Sequence, residues 1–302
     1  MDDKETCKTT RSGFVALVGR PNVGKSTLLN ALVGQKIAAT TPKPQTTRHR
    51  ILGIVTLECA QIIFIDLPGL HTRQPHLINR AMNTVAIGSM QDADVLAVMV
   101  DASRWTPDDE FVLEQVAAAN RPFVLLLNKI DQMKDKKRLL PLIADLRERF
   151  GTDEIVPISA LRSENLQAVV DALLRYLPEG PFLFPEDEVT DRSLKFIISE
   201  LIREKIFLLT NREVPYSTAV HIEAFEDQGK LVRIDALIWV ERPSHKKIII
   251  GRKGQLIKEI GMRARKEIEE LLGKKVHLQL WVKVRKDWQD DVRSLKDIGI
   301  EQ

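Results

Sequence analysis

Apolar residues in the first half of the chain come in short continuous runs, the pattern typical of strands buried on both faces of a parallel sheet. Such runs cover residues 14–18, 61–65, 94–100 and 122–127, and an amphipathic helical stretch follows the first of them. This arrangement predicts an α/β domain with a mostly parallel sheet flanked by helices.

The pattern changes after residues 177–188, a stretch with three prolines and four acidic side chains that indicates a domain boundary. Beyond it the periodicity predicts a helix over 192–209, half-buried strands over 220–224 and 232–240, a helix after 255 and a strand over 276–284. Within the last strand, Val276, Leu278, Leu280, Val282 and Val284 are expected to point inward. We therefore expect a larger domain over 1–184 and a smaller α+β domain, with its linker, over 185–302.

A glycine-rich motif, G-x-x-x-x-G-K-S, joins the first apolar run to the helix that follows it. Its glycines let backbone N–H groups approach a phosphate at the positive end of the helix, as in a P-loop. Lys25 is expected to bridge the β- and γ-phosphates, and the Ser26 hydroxyl to bind Mg²⁺. The candidate nucleotide-binding residues here are Gly19, Arg20, Pro21, Asn22, Val23, Gly24, Lys25, Ser26 and Thr27.

Two further stretches suit a phosphate-sensing switch. Residues 35–49 have few large apolar side chains and two prolines, so we expect a mobile loop whose Thr46 or Thr47 reaches the Mg²⁺ and the γ-phosphate. An apolar run ends in D-x-P-G, which places a carboxylate near the metal and a backbone N–H near the γ-phosphate. The candidates in that motif and just after it are Asp66, Leu67, Pro68, Gly69 and Leu70. The expected metal ligands are Ser26, Thr46, Thr47 and Asp66, and the expected catalytic residues are Lys25, Thr46, Thr47 and Gly69.

Two later motifs favour guanine as the base. In N-K-x-D, an aspartate can accept hydrogen bonds from guanine N1–H and N2, which adenine cannot supply, so adenine would leave this carboxylate unpaired. A later S-A pair offers the Ala160 N–H to guanine O6. The candidate base-binding residues are Asn128, Lys129, Ile130, Asp131, Ser159, Ala160 and Leu161.

The end of the chain is strongly basic. Residues 242–286 contain fourteen Lys or Arg against four Glu, although the net charge of the whole chain is only +3. A G-x-x-G turn lies between two helical stretches in this region, and its element order resembles a type II KH domain, in which such a turn clamps the backbone of about four nucleotides. The candidate RNA-binding residues are Lys246, Lys247, Ile250, Gly251, Arg252, Lys253 and Gly254.

Composition sets the broad class. The chain has 302 residues, of which 44% are hydrophobic and 29% charged, as in globular proteins of about two domains. Its first residues are polar and partly acidic, unlike a secretory signal, and no apolar run approaches the roughly 20 residues that span a bilayer. We expect a cytoplasmic protein, and attachment to a membrane surface stays open.

The motifs together resemble the Era family, the bacterial KH-domain GTPases of the TrmE-Era-EngA-YihA-Septin-like superfamily. The resemblance rests on the stretches 19–30, 45–50 and 104–110 and covers nearly the whole chain. It implies a P-loop GTPase domain followed by a type II KH domain, GTP and GDP as ligands with Mg²⁺, and hydrolysis of GTP. It also implies binding to the 3′ end of 16S ribosomal RNA, 16S processing and biogenesis of the 30S subunit, peripheral association with the inner membrane, and a monomer.

Three positions modify this expectation. Leu70 stands where Ras-like GTPases carry a water-orienting glutamine, so hydrolysis is expected to depend on a partner or an ion. Asn22 stands where related GTPases hold K⁺, which makes stimulation by K⁺ a hypothesis. Leu67 replaces the threonine that is usual in the family's D-T-P-G motif and leaves the aspartate and the glycine in place.

Two alternatives stay open at this point. A GTP-dependent membrane-surface or cell-cycle signalling protein would dock its basic domain on anionic lipid or on a protein, and salt-sensitive binding would not separate it from an RNA-binding protein. A P-loop ATPase is the other, and nucleotide competition would separate it from a GTPase.

Overall fold

The computed structural model describes residues 9–70 and 77–297. Within that part the chain forms two compact units, the first containing residues 9–37, 50–70 and 82–191 and the second residues 38–49, 77–81 and 192–297. No helix in the described part is long and apolar enough to cross a membrane.

The first unit is built on a six-stranded sheet. Its strands are β1 (Arg11–Val18), β2 (Ile51–Thr56), β3 (Ala60–Asp66), β4 (Val95–Asp101), β5 (Phe123–Asn128) and β6 (Ile155–Pro157). Their order across the sheet is β2-β3-β1-β4-β5-β6, and only β2 runs antiparallel to its neighbour. The carboxyl ends of β1, β3, β4 and β5 therefore meet at one edge, where ligands bind in open parallel sheets.

The α-helices before the predicted linker are α1 (Lys25–Val33), α2 (Leu77–Asp92), α3 (Pro107–Ala119), α4 (Leu139–Phe150) and α5 (Leu166–Leu174). Every residue of β3 and β4 is buried, which explains why residues 62–65 and 95–100 form unbroken apolar runs.

The predicted linker packs on the first unit. The buried Gln61 amide accepts hydrogen bonds from the backbone N–H of Leu183 and Phe184, at 2.8 and 2.9 Å. Farther along, Ile54 N–H donates to the Val189 carbonyl at 3.0 Å, so this stretch covers part of the free edge of β2.

The second unit combines helices with a three-stranded sheet. Its elements are α6 (Leu194–Leu209), β7 (Thr218–Asp227), β8 (Leu231–Val240), α7 (Pro243–Ile250), α8 (Gln255–Leu272), β9 (Lys275–Val284) and α9 (Val292–Asp297). The sheet order is β7-β8-β9, with β7 antiparallel and β9 parallel to β8. Helices α6 and α8 pack on each other, and α8 buries Ile260, Ala264 and Ile268.

One detail of β7 differs from the predicted alternation, in which Val220, Ile222 and Ala224 share a face. The pairing of β7 with β8 shifts between Ile222 and Ala224, so Ala224 lies opposite Asp235 and not opposite an apolar residue of the core. A bulge at this point reverses which side chains face inward.

Candidate nucleotide and nucleic-acid sites

The loop between β1 and α1 has the geometry of a phosphate cradle. Gly24 precedes α1 with φ 108°, and a Cβ at this position would lie 2.3 Å from the Asn128 side-chain nitrogen. A Cβ on Gly19 would lie 2.6 Å from the Met99 carbonyl oxygen. Both positions therefore require glycine, and the loop opens at the positive end of α1 as the motif predicts.

Lys25 lies inside this loop. Its side chain is buried, and Nζ donates to the carbonyl oxygens of Gly19 and Arg20, at 3.0 and 3.2 Å. Burial lowers the Lys25 pKa from 10.5 to about 8, with nearby Asp66 raising it and Arg20 lowering it further. A phosphate bound here would supply a negative counter-charge for the buried ammonium group.

Ser26 and Asp66 form an oxygen pair beneath α1. Ser26 Oγ donates to Asp66 Oδ2 across 2.5 Å, and Asp66 is completely buried at the end of β3. A hydroxyl and a carboxylate are the hard oxygen ligands that Mg²⁺ prefers. These two predicted metal ligands therefore lie together and fit the ion.

The D-x-P-G stretch packs tightly against the phosphate loop. A Cβ on Gly69 would lie 2.5 Å from Pro21 N, and Leu70 N–H donates to the Gly19 carbonyl at 3.3 Å. Leu67 and Leu70 are each 1% exposed and belong to the apolar core. Their side chains serve packing, which leaves the orientation of a hydrolytic water to other groups.

Asn128 joins two of the predicted nucleotide motifs. Its Nδ2 donates to the Val23 carbonyl at 2.6 Å, and its Oδ1 accepts from the Ala160 N–H at 2.9 Å. The Ala160 N–H, which the sequence assigns to guanine O6, is thus used by Asn128 in this structure. The asparagine holds the phosphate loop and the S-A turn in register.

Asp131 and Lys129 are also fixed by neighbours. Ser159 Oγ donates to Asp131 Oδ1 at 2.7 Å, which orients the carboxylate expected to bind guanine. Lys129 Nζ donates to Asp101 Oδ2 at 2.8 Å. Burial would raise the Asp101 pKa, but hydrogen bonds from Lys129 and Ser103 hold it below its usual value.

Sequence reasoning missed the anchor of Arg20. The Arg20 Nε donates to both carboxylate oxygens of Asp109, at 2.9 Å each, and Asp109 is 1% exposed. The same carboxylate caps α3 by accepting from the N–H and hydroxyl of Thr106, at 2.8 and 2.7 Å. The T-x-x-D capping pattern before α3 was the available signal.

Thr46 and Thr47 lie in the second unit, where the segment around them makes more contacts than its composition suggested. Thr46, Arg48 and His49 are buried among residues of that unit. Polar contacts account for this burial, since Arg203 donates to the Thr46 carbonyl at 2.5 Å and the His49 ring meets Phe196 edge-on at 5.0 Å between ring centres. The structure therefore groups Ser26 with Asp66 and places the two threonines with the KH elements.

The G-x-x-G turn connects α7 and α8 as predicted. Gly251 and Gly254 have φ 71° and 75°, and Lys253 between them has φ 50°. A Cβ on Gly251 would lie 2.7 Å from Leu256 Cβ, whereas nothing lies within 4 Å of one on Gly254. Arg252, Lys253 and Lys247 are exposed, and Lys246 and Ile250 are half-buried. The turn thus presents two cations to solvent.

A groove of about 360 Å³ beside this turn was not predicted. Leu278 and Leu280 of β9 were expected in the core, but they are only half-buried, as is Val284, because the two leucines line this groove. Strict alternation along β9 gave no sign of it. The lining residues are Ile257, Lys258, Gly261, Met262, Arg265, Leu278 and Leu280. An apolar floor with cations at its margin suits stacked bases and their phosphates.

Comparison with known proteins agrees with a nucleotide site in the first unit and a nucleic-acid site in the second. A family described as "50S ribosome-binding GTPase" matches residues 14–129, and a KH-domain family matches residues 213–289. The protein named GTPase Era from Pseudomonas fluorescens is 50% identical over 290 residues, which cover 96% of this chain and 97% of the relative. The chain belongs to the Era GTPase family. GTPase Era of Actinobacillus pleuropneumoniae serotype 3 is 48% identical over 99% of each chain.

Solved Era structures share the fold. Aquifex aeolicus Era, crystallised as a variant bound to GDP and AlF4⁻, superimposes with a TM-score of 0.93 at 43% identity, covering 97% of this chain and all of the other. An Era complex with MgGDPNP and nucleotides 1506–1542 of 16S ribosomal RNA gives the same values. The predicted fold class, a P-loop GTPase domain followed by a type II KH domain, is confirmed, as is the Era resemblance.

Proposed function

We propose that this chain binds GTP with Mg²⁺ and hydrolyses it to GDP and phosphate. The observation that carries the proposal is the Ser26 to Asp66 pair, a hydroxyl and a buried carboxylate 2.5 Å apart at the start of α1. An oxygen pair at this point, with Lys25 buried beside it, is the arrangement that P-loop GTPases use for Mg²⁺ and the β- and γ-phosphates.

Each part of the site has a defined task in this proposal. Ser26 and Asp66 would hold Mg²⁺, which neutralises phosphate charge when it is bound. Lys25 contacts the transferred phosphate, the Gly69 N–H faces it, and Thr46 or Thr47 completes the switch. Asp131, oriented by Ser159, selects guanine through N1–H and N2.

We propose that the KH domain binds the 3′ end of 16S ribosomal RNA as single strand. The G-x-x-G turn presents Arg252 and Lys253 to the phosphates, and the neighbouring groove of about 360 Å³ accepts bases. The Era relative solved with nucleotides 1506–1542 of this RNA supports the choice of ligand.

The biological role that follows is 16S processing and biogenesis of the 30S subunit. We place the protein in the cytoplasm as a monomer, with peripheral association with the inner membrane. The GTPase domain is proposed to be residues 1–184, and the linker with the KH domain residues 185–302. Linker residue Val189 still contacts β2, so the first linker residues pack on the GTPase domain and the first unit extends to residue 191.

Turnover and RNA binding on purified full-length protein test the proposal. The wild type should release phosphate from GTP in Mg²⁺, GTP should displace bound GDP far better than ATP does, and Asp66→Asn should lose turnover. An RNA of the printed 16S segment should bind more tightly than a scrambled RNA of equal length and charge. Displacement of GDP by ATP as effective as by GTP would contradict the proposed GTP specificity. Equal binding of both RNAs would contradict the proposed recognition of 16S RNA. Binding of anionic vesicles in preference to either RNA would favour the membrane-docking alternative.

A further inference from the structure

Residues 38–49 are built into the second unit. Lys43 Nζ donates to the carbonyls of Phe207 and Thr210, at the end of α6, and Thr40 N–H donates to Glu204 Oε2 at 2.8 Å. The terminal carbonyls of a helix lack partners within the helix and carry partial negative charge, so a lysine at this end satisfies both requirements.

Arg48 makes the deepest contact of the segment. Its guanidinium donates to the carbonyls of Thr218 and Tyr216, at 2.7 Å each, and to that of Pro215 at 3.3 Å. It also lies 5.8 Å from the ring centre of Trp288, which is completely buried. Buried carbonyls need donors, so this arginine holds the segment on the KH elements.

We propose that these contacts of Thr40, Lys43 and Arg48, here called the segment latch, compete with the γ-phosphate for the segment that carries Thr46 and Thr47. The inference rests on the proposed function, in which one of these threonines moves to the Mg²⁺ when triphosphate binds. A segment held by the second unit must give up the segment latch before that move.

A line of charges continues from the segment latch to the RNA-binding helix. Glu204, which accepts from Thr40, also accepts from Lys205 Nζ through Oε1 at 2.7 Å, and Lys205 pairs in turn with Glu267 of α8. Glu204 and Lys205 are buried, where such pairs are little screened. Because α8 begins directly after Gly254 and lines the groove, this line joins the state of the segment to the RNA site.

The sign of the effect follows from linkage. If only the released segment takes up triphosphate, the apparent affinity for GTP is reduced by the small fraction of molecules in which the segment is free, and GDP is unaffected. Weakening the segment latch should therefore raise affinity for a GTP analogue and leave GDP affinity unchanged. A segment that triphosphate leaves in place would give no such difference.

Lys43→Met in the full-length chain tests the segment latch. It removes the charged hydrogen bonds to the carbonyls of Phe207 and Thr210 and a longer one to Asn211 Oδ1, while Arg48 stays in place. We expect the affinity for a non-hydrolysable GTP analogue to rise about five- to tenfold relative to GDP. Arg233→Met is the matched control, since Arg233 is an exposed cation on β8 of the same unit. An unchanged or reduced ratio in Lys43→Met would overturn the proposal.

Glu267→Gln tests the connection to α8. It should leave the ratio of nucleotide affinities unchanged but shrink the difference in RNA affinity between the GTP-analogue and GDP states. The probe is the 16S segment named above. An undiminished difference would rule out the route through Lys205.

If Lys43→Met fails to fold, a fluorescence measurement on the wild-type protein tests whether the segment is released. Release of Arg48 from beside Trp288 should change the emission of the wild-type protein with the GTP analogue but not with GDP, and Trp288→Phe should remove that change. The same change in both proteins would count against release. A wild type that binds neither the GTP analogue nor RNA would refute the proposed function itself, whereas normal binding with an unmoved ratio refutes only the segment latch.

Discussion

Asp109 holds Arg20 by accepting from its Nε at 2.9 Å, although the two residues are 89 positions apart in sequence. The same carboxylate closes the cap of α3. One buried side chain thus ties the second residue of the phosphate loop to the start of α3.

Asp109→Asn should loosen the phosphate loop. It removes the charge that pairs with Arg20 and leaves a partly buried cation, so GDP affinity should fall about tenfold and the melting temperature should drop. Titration calorimetry and thermal unfolding give the two values. Asp108→Asn in the same helical turn is the control for loss of charge near the helix N-terminus, and an equal effect there would show that Arg20 is not involved.

Lys25 should make nucleotide binding pH-dependent. Its pKa is about 8 in the structure against 10.5 in the unfolded chain, so between these values the unfolded state binds more protons and the free energy of unfolding rises with pH. Bound phosphate raises the pKa again, so GDP binding at about pH 9 should take up nearly one proton and weaken as pH rises further. Calorimetry in buffers of different ionisation enthalpy measures the uptake. Identical binding enthalpies in all buffers would contradict the prediction.

Asp131→Asn should change the preferred base. An asparagine can donate to the O2 of xanthine but cannot accept from both guanine donors, so the preference should move toward xanthosine diphosphate by about a hundredfold or more. Competition with labelled GDP measures this shift. Asp153 is exposed and pairs with Arg147, so Asp153→Asn is the control and should retain the preference for guanine.

Hydrolysis should be faster in K⁺ than in Na⁺. Leu70 is buried and orients no water, so a cation near Asn22 is expected to stabilise the developing charge, by about tenfold in rate. Asn22 has φ 66°, which glycine also adopts, so Asn22→Gly removes the amide without straining the loop. That variant should bind GDP normally and lose the preference for K⁺. Equal wild-type turnover in both salts would disprove the idea.

Gly254→Asp should separate RNA binding from folding. Nothing lies within 4 Å of a Cβ there, so the variant pays only the backbone strain of φ 75°, about 1 kcal/mol. The added carboxylate should repel phosphates and reduce RNA affinity by at least about tenfold. Gly273→Asp, equally open with φ 62° at the far end of α8, is the matched control and should bind RNA as the wild type does. Similar losses in both would assign the effect to folding.

The sequence predicted the parts of the molecule that depend on local chemistry. The P-loop, the strand ending at Asp66 and the G-x-x-G turn each combine a short motif with flanking periodicity, and the structure has all three where expected. Family and fold class followed from the order of these motifs, and both are confirmed.

The remaining features depend on partners far away in the chain. Burial of residues 38–49 uses cations on carbonyls instead of apolar side chains, so composition suggested a mobile loop. Leu278 and Leu280 alternate like core residues, and only the position of α8 makes them a groove. The anchor of Arg20 likewise appears once α3 is placed.

Because Arg48 binds carbonyls of the KH elements, its absence matters when the two halves of the protein are expressed separately. A fragment starting at residue 192 lacks the guanidinium that donates to the carbonyls of Pro215, Tyr216 and Thr218, although Thr218 Oγ1 still donates to Pro215 and Gln289 Nε2 to Tyr216. Such a fragment also lacks residues 38–49, which belong to the same unit, and a synthetic peptide of that segment could be added in trans. Dissection at the boundary that the sequence suggests would therefore understate what the RNA-binding half can do.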